Sequence, residues 1–232
     1  MEREYLVRTE ALLGSAGIDR LASAHVLIAG LGGVGGHAFD ALLRSGIGCF
    51  TLVDFDTVAP SNLNRQLLAS REVLGMKKTE VALLHARKIT ENVNISLRSE
   101  RIVPEDAARL LEDAAPDLVI DAIDDVPAKV ALAVAARDAG IPLLSCLGTG
   151  NRLDPGALLL TDIAKTSGCP LARAVRTRLR REGIEHLPVV FSREEARTPR
   201  DSEVRVASSA FVPAAAGLML AAEAVRRLTA TE

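Results

Sequence analysis

Apolar residues fall along this chain in short blocks, and the period of the blocks switches repeatedly between that of a buried strand and that of a helix. Val26-Leu-Ile-Ala29, Cys49-Phe-Thr-Leu-Val53, Ile95-Ser-Leu97, the run from Asp117 to Asp124, Pro142 to Leu147, Ala157 to Asp162 and Pro188-Val-Val-Phe191 have the length of strands, several with the β-branched content of buried parallel ones. Between them, Ala38 to Leu43, Lys77 to Thr90, Pro104 to Asp113, Pro127 to Ala139 and the stretch after Pro170 carry helical spacing, with Val81, Leu84 and Ile89 on one face of the second of these. A short helix over residues 8 to 21, broken at Gly14 and Gly17, leads in, and Phe211 to Ala222 reads as a mostly buried final helix ending in Arg226-Arg227. Strands alternating with helices predict an α/β fold, a doubly wound, mostly parallel sheet with helices on both faces and a basic C-terminal insertion.

The stretch from Val26 to Gly36 organises the rest. After the first strand, Gly30, Gly32, Gly33 and Gly35 open a helix, the arrangement of a phosphate-binding turn of Rossmann type. Glycine permits positive φ and close approach of the backbone, and unpaired amides at a helix start attract anionic oxygens. The pattern is shared by nicotinamide, flavin and ATP sites and by plain tight strand-to-helix packing, so residues beyond the turn must decide.

Length and composition allow one well-buried domain: 232 residues, 48% hydrophobic. We divide it into a nucleotide-binding core over 1–162, a basic helix and mobile crossover over 163–210, and the final helix over 211–230. Cys49, Cys146 and Cys169 form no C-x-x-C pair, which excludes a four-thiolate zinc site and a disulfide framework and predicts a reduced, cytoplasmic protein. The N-terminus has no signal-peptide core, and the apolar run from Phe211 to Ala222 is too short to span a bilayer, so no membrane is expected.

The second strand ends in Asp54-Phe55-Asp56, placed to accept ribose hydroxyls, which leaves ATP and NAD level. The segment Asn62-Leu-Asn64-Arg65-Gln66 separates them: a nicotinamide enzyme turns into its next helix here, whereas this polar loop presents amides and an arginine suited to a triphosphate. Lys78 begins the next helix, where a cation opposes the macrodipole and needs another reason; phosphate binding supplies one, simple solvation another. Asp124 and Asp125 end the fourth strand at the expected ligand crevice, where one can hold Mg²⁺ or either can cap the following helix.

The net charge of −2 gives no global field for nucleic acid, yet residues 165–200 hold nine Lys or Arg against four Glu, a local +5. Arg173, Arg176 and Arg180 lie at i, i+3 and i+7, a cationic stripe for nucleic-acid phosphates or a solvated helix face.

In order and approximate spacing, Gly30-Leu-Gly-Gly-Val-Gly35, Val53-Asp-Phe-Asp56, Asn62-Leu-Asn-Arg-Gln66, Lys78 and Asp121-Ala-Ile-Asp124 resemble the ubiquitin-activating-enzyme-like superfamily. The resemblance implies Mg-ATP as ligand and adenylation of a carboxylate as chemistry. It implies that Gly33 packs on the phosphates, Asp54 takes the ribose, Asn64, Arg65 and Lys78 hold the triphosphate, and Asp124 binds Mg²⁺. Arg8 resembles the arginine that reaches into the partner subunit's site, which implies a homodimer. Asp162-Ile-Ala-Lys-Thr166, Pro170-Leu-Ala-Arg-Ala-Val-Arg176 and Ser208-Ser-Ala-Phe-Val-Pro213 resemble the tRNA threonylcarbamoyladenosine dehydratase branch, although Ala207 stands where glycine is usual. That branch implies a tRNA substrate, for which Arg173, Arg176 and Arg180 are the candidate contacts. Three readings stay open: that dehydratase; an adenylyltransferase for a ubiquitin-like sulfur carrier, with a sulfur-transfer partner protein; and a non-catalytic nucleotide-binding scaffold. Cys169 is a nucleophile or an inert small hydrophobe.

Overall fold

The structure, a computed structural model, describes residues 4–200, 203, 204 and 206–230; the first three residues and residues 201 and 202 of the expected polar crossover lie outside the described residues. Seven strands, β1 (His25–Ala29), β2 (Cys49–Val53), β3 (Asn94–Arg98), β4 (Leu118–Asp121), β5 (Leu143–Cys146), β6 (Leu158–Asp162) and β7 (Pro188–Ser192), form one sheet in the order β3-β2-β1-β4-β5-β7-β6. Every pairing is parallel except β6 with β7. The chain builds outward from β1 to β3, then returns to place β4 on the other side of β1. That reversal opens a crevice beyond the carboxyl ends of β1 and β4.

Alternation along each strand sorts the core into two layers. Val26, Ile28, Phe50, Leu52, Leu118 and Ile120 face one way, with Phe39 and Leu42 of α2 (Gly35–Ser45) and Val212, Ala216 and Leu220 of α7 (Phe211–Thr229). Leu27, Ala29 and Val119 face the other, with Leu111 of α4 (Ala107–Ala114), Leu132 of α5 (Val126–Asp138) and Val175 and Leu179 of α6 (Pro170–Arg181). Strands buried on both faces are apolar at most positions, hence the near-continuous runs in the sequence, with Thr51, Asp121 and Ser145 as buried polar exceptions.

The expected break at Gly14 is present: α1 (Val7–Ser23) bends there, with φ of 72° and ψ of 163°. Gly17 is not a break. It lies buried in the helix, where an added Cβ would come within 3.0 Å of Leu13 Cβ, so it serves packing. Within the stretch over 163–210, expected to hold a basic helix and a mobile crossover, three described residues after β7 are hydrogen-bonded to the segment between β5 and β6: Arg193 N donates to Ala157 O, Arg197 N to Asn151 O, and Ala207 O accepts from Asn151 N at 2.7 Å. Ala207 needs no glycine-like backbone, since the positive-φ non-glycine residues described are Ala115 and Asn151.

Candidate active site

The glycine-rich turn is built by contacts that no side chain could share. Gly30, at φ +90°, donates its N–H to Val53 O at 2.8 Å, and a Cβ on it would lie 2.9 Å from Ala122 O. Gly35 tolerates none either, because its Cβ would fall 1.7 Å from Gly30 O; it closes the turn from beneath rather than touching the crevice. Gly32 and Gly33 line the opening, and a Cβ at Gly33 would meet Pro213 at 3.1 Å and Arg65 Cγ at 3.5 Å. Bare backbone here keeps a cradle beside a guanidinium, at the start of α2.

One crevice, about 700 Å³, collects most of the predicted residues: Gly30, Gly32, Gly33, Asp54, Asp56, Asn62, Arg65, Gln66, Lys78, Asp124 and Asp125 all line it. Asp54 is buried and accepts from Leu31 N at 2.7 Å and Asp56 N at 2.9 Å, so it pins the glycine turn to the end of β2. Lys78 begins α3 (Lys78–Arg87) and is only 6% exposed; its Nζ lies 2.7 Å from Asp56 Oδ2 and 3.7 Å from Asp54 Oδ2. Those two carboxylates offset the unfavourable helix dipole and hold the ammonium at the crevice wall. Arg65 Nη1 donates to Ser61 O and Asn64 Oδ1, which fixes the guanidinium's root. Gln66 is buried beside Gly32.

Four of the expected site residues make hydrogen bonds within the chain. The Asn64 amide does not face the crevice: it donates to Ser208 O at 3.0 Å and accepts from Arg65, so it orients the arginine and ties down the segment before α7. Asn62 lines the crevice, but its Oδ1 accepts from Ala59 N at 3.0 Å and closes the turn. Asp125 caps α5, its carboxylate accepting from Ala128 N at 2.9 Å. Arg176 is not a free cation: Nη1 donates to Thr166 O at 2.8 Å and to Thr166 Oγ1 at 2.6 Å, fastening α6 to the preceding loop. Arg173 and Arg180 are exposed, and Arg173, Arg178 and Arg181 border a separate shallow depression along α6. Asp124, by contrast, is exposed at the crevice and has no hydrogen bond or ion pair among the described residues. Arg8 lies exposed at the start of α1, outside the crevice lining.

Sequence reasoning missed the support beneath Asp124. Lys129 is 1% exposed; its Nζ donates to Asp121 Oδ2 at 2.8 Å and to Ile123 O at 2.9 Å, while Ser145 Oγ donates to the same Asp121 oxygen at 2.7 Å. This buried network clamps the turn from β4 to α5. The only signal was a single lysine within the otherwise apolar run Val126 to Val134. Also missed were Phe55 and Arg101, stacked at 3.8 Å on the rim of the crevice. Cys146 lines the crevice as an inert thiol, its pKa pushed up to about 12 by burial. The Cys169 Sγ accepts from Ala172 N at 3.4 Å and caps α6.

The sequence matches the ThiF family over residues 6–232. The chain belongs to the ThiF family. This ThiF-family chain is 34% identical over 237 residues to the tRNA threonylcarbamoyladenosine dehydratase of Bacillus subtilis, covering 95% of the chain and 93% of that protein. It is 38% identical over 172 residues to the Escherichia coli protein of that name, covering 74% of the chain and 64% of that protein. Among solved structures, it superposes on E. coli tRNA N6-threonylcarbamoyladenosine dehydratase in complex with AMP with a TM-score of 0.92, at 33% identity, over 97% of this chain and 94% of that one. The same enzyme in complex with ATP gives a TM-score of 0.91 at 33% identity over the same shares of both chains.

Proposed function

We propose that this ThiF-family chain is an ATP-dependent dehydratase that adenylates the free carboxylate of N6-threonylcarbamoyladenosine in tRNA and allows it to cyclise. The observation that carries the reading is the convergence on one crevice of Gly33, Arg65, Lys78 and Asp124, the last without a partner among the described residues. The names of its relatives support the substrate. Among the described residues, no helix is long and apolar enough to cross a membrane.

A carboxylate is a poor electrophile, and its hydroxide leaving group is poorer. Attack of one carboxylate oxygen on the α-phosphorus of ATP forms an acyl–adenylate and expels pyrophosphate. The internal ureido nucleophile then bonds to the acyl carbon, the bond to AMP breaks, AMP departs with the oxygen, and the nucleophile's proton passes to solvent. The net change in the nucleoside is loss of one water. No enzyme nucleophile is needed, because the attacking group is already held beside the acyl carbon. Arg65 and Lys78, both lining the crevice, would meet the negative charge that develops on the phosphates.

Asp124 fits Mg²⁺: a single free carboxylate beside phosphates is a usual site for this hard cation, which when bound neutralises phosphate charge. Arg8 would complete the crevice of a second copy, so the working unit is a twofold homodimer. The exposed arginines of α6 would carry tRNA phosphates.

The test is mass spectrometry of nucleosides from tRNA incubated with the protein, ATP and Mg²⁺. The modified nucleoside should become lighter by one water. Unchanged tRNA, together with adenylation of a ubiquitin-like carrier's C-terminus, would refute the reading.

A further inference from the structure

The crevice has a second end. Beyond β4, the loop after β5 lines it from Gly148 to Arg152, and the start of α6 lines it at Cys169 and Pro170. Arg152 is only 3% exposed, yet it pairs with no carboxylate among the described residues. Its Nε donates to Glu194 O at 3.0 Å and its Nη1 to Gly150 O at 2.9 Å, while its Nη2 is buried and has no partner among the described residues. A buried cation with an unmet donor is costly, and such a group persists where a ligand completes it. Arg152 lines the crevice, and Gly148 lets the backbone pack against it: a Cβ there would lie 3.4 Å from Nη1, 3.9 Å from Nη2 and clash with Cys169 Sγ at 2.4 Å.

The loop that carries Arg152 is constructed rather than incidental. Asn151 holds a positive φ of 61°, a conformation disfavoured for a residue with a Cβ, and is secured there by exchanging hydrogen bonds with Ala207: its N–H donates to Ala207 O at 2.7 Å, and its Oδ1 accepts from Ala207 N at 2.6 Å. All the acids lining the crevice, Asp54, Asp56, Glu100, Asp124 and Asp125, come from the ends of β2, β3 and β4, so Arg152 is the one charged residue lining the β5 end among those described.

We propose that Arg152 is the carboxylate-recognising residue of the acyl-substrate subsite, its Nη2 donating to the carboxylate oxygen that does not attack phosphorus. The strand order carries the assignment: phosphate-binding groups stand at β1, β2 and α3, Asp124 at β4, and Arg152 one strand further, where the group joined to the α-phosphate must lie. The oxygen held by Arg152 becomes the acyl carbonyl of the adenylate and takes up charge when the ureido nucleophile adds, so one contact serves both steps.

This rests on the dehydratase reading, and the experiment separates the two. Free threonylcarbamoyladenosine and its neutral carboxamide are titrated calorimetrically into the ATP-loaded wild type, Arg152→Gln and Arg152→Lys, and nucleoside-dependent ATP–pyrophosphate exchange is followed in parallel. The wild type should prefer the acid. Arg152→Gln should lose about 10- to 100-fold in affinity for the acid, the scale of a charge-assisted hydrogen bond, with carboxamide and ATP binding unchanged. Arg152→Lys should keep part of the preference. Loosening of the loop alone would weaken acid and carboxamide alike, so wild-type preference for the acid in both variants overturns the proposal. If the wild type itself neither prefers the acid nor cyclises tRNA, the dehydratase reading falls and this subsite with it.

Discussion

Replacing Lys129 by Met removes the ammonium from beneath Asp124 and leaves Asp121, itself 1% exposed, with Ser145 Oγ at 2.7 Å and Ile123 N at 3.3 Å as its partners among the described residues. Removing one member of a buried ion pair costs about 3–5 kcal/mol, because the other charge stays desolvated, and this is a large part of a typical stability of about 5–15 kcal/mol. The Ile123 carbonyl loses its donor as well. Adding Asp121→Asn removes the stranded charge, keeps a carbonyl oxygen for Ile123 N and turns its NH2 toward Ser145 Oγ, which can accept, so the double variant should be more stable than Lys129→Met by about 2 kcal/mol. Urea unfolding followed by circular dichroism suits a chain without tryptophan. The double variant should recover stability but not ATP-dependent turnover, since the turn that presents Asp124 is no longer clamped. Strictly additive losses in the two single variants and the double would refute the argument.

Arg65→Ala should weaken ATP binding by about 1.5–3 kcal/mol, measured by calorimetry, with little change in melting temperature. Mixing Arg8→Ala with Asp124→Ala protein, each inactive alone, should restore up to about a quarter of wild-type activity if protomers of a twofold dimer exchange at random. Replacing Arg173, Arg178 and Arg181 together by Ala should leave ATP binding intact and reduce the log–log salt slope of tRNA binding by roughly two. Glu223 accepts from Arg226 and Arg227, and those bonds hold its pKa at about 2, below the ordinary 4.5. Its contribution is therefore full above pH 4.5 and disappears as pH falls toward 2, so the stability gap between wild type and Glu223→Gln, read by thermal melts across pH, should close over that window.

The strands and the glycine turn were legible because a doubly buried parallel strand and a turn without room for Cβ each leave few residue choices. Side-chain direction was not. For a polar residue near a site, whether the side chain aims at ligand or at backbone depends on turn geometry and tertiary packing: Asn62 and Asp125 bond their own turns, whereas Asn64 reaches Ser208 and Arg176 reaches Thr166. The antiparallel course of β6 was equally hidden, since reversal depends on where the Gly148–Gly156 loop delivers the chain. Lys129 and Arg152 escaped notice because a lone cation in sequence looks the same whether it snorkels to water or is sealed within the fold.

The last helix closes the first turn. Gly217 of α7 lies so close to α2 that a Cβ would stand 2.3 Å from Val34 O, Pro213 packs beside Gly33, and Arg20 of α1 donates to Thr229 O across 209 residues of sequence. The glycine turn is thus completed by an element far from it in sequence, a non-local contact that forms slowly in folding. Truncation after β7 should therefore bare the apolar face of β1 and α2 that Val212, Ala216 and Leu220 cover, rather than leave a smaller domain with the turn intact.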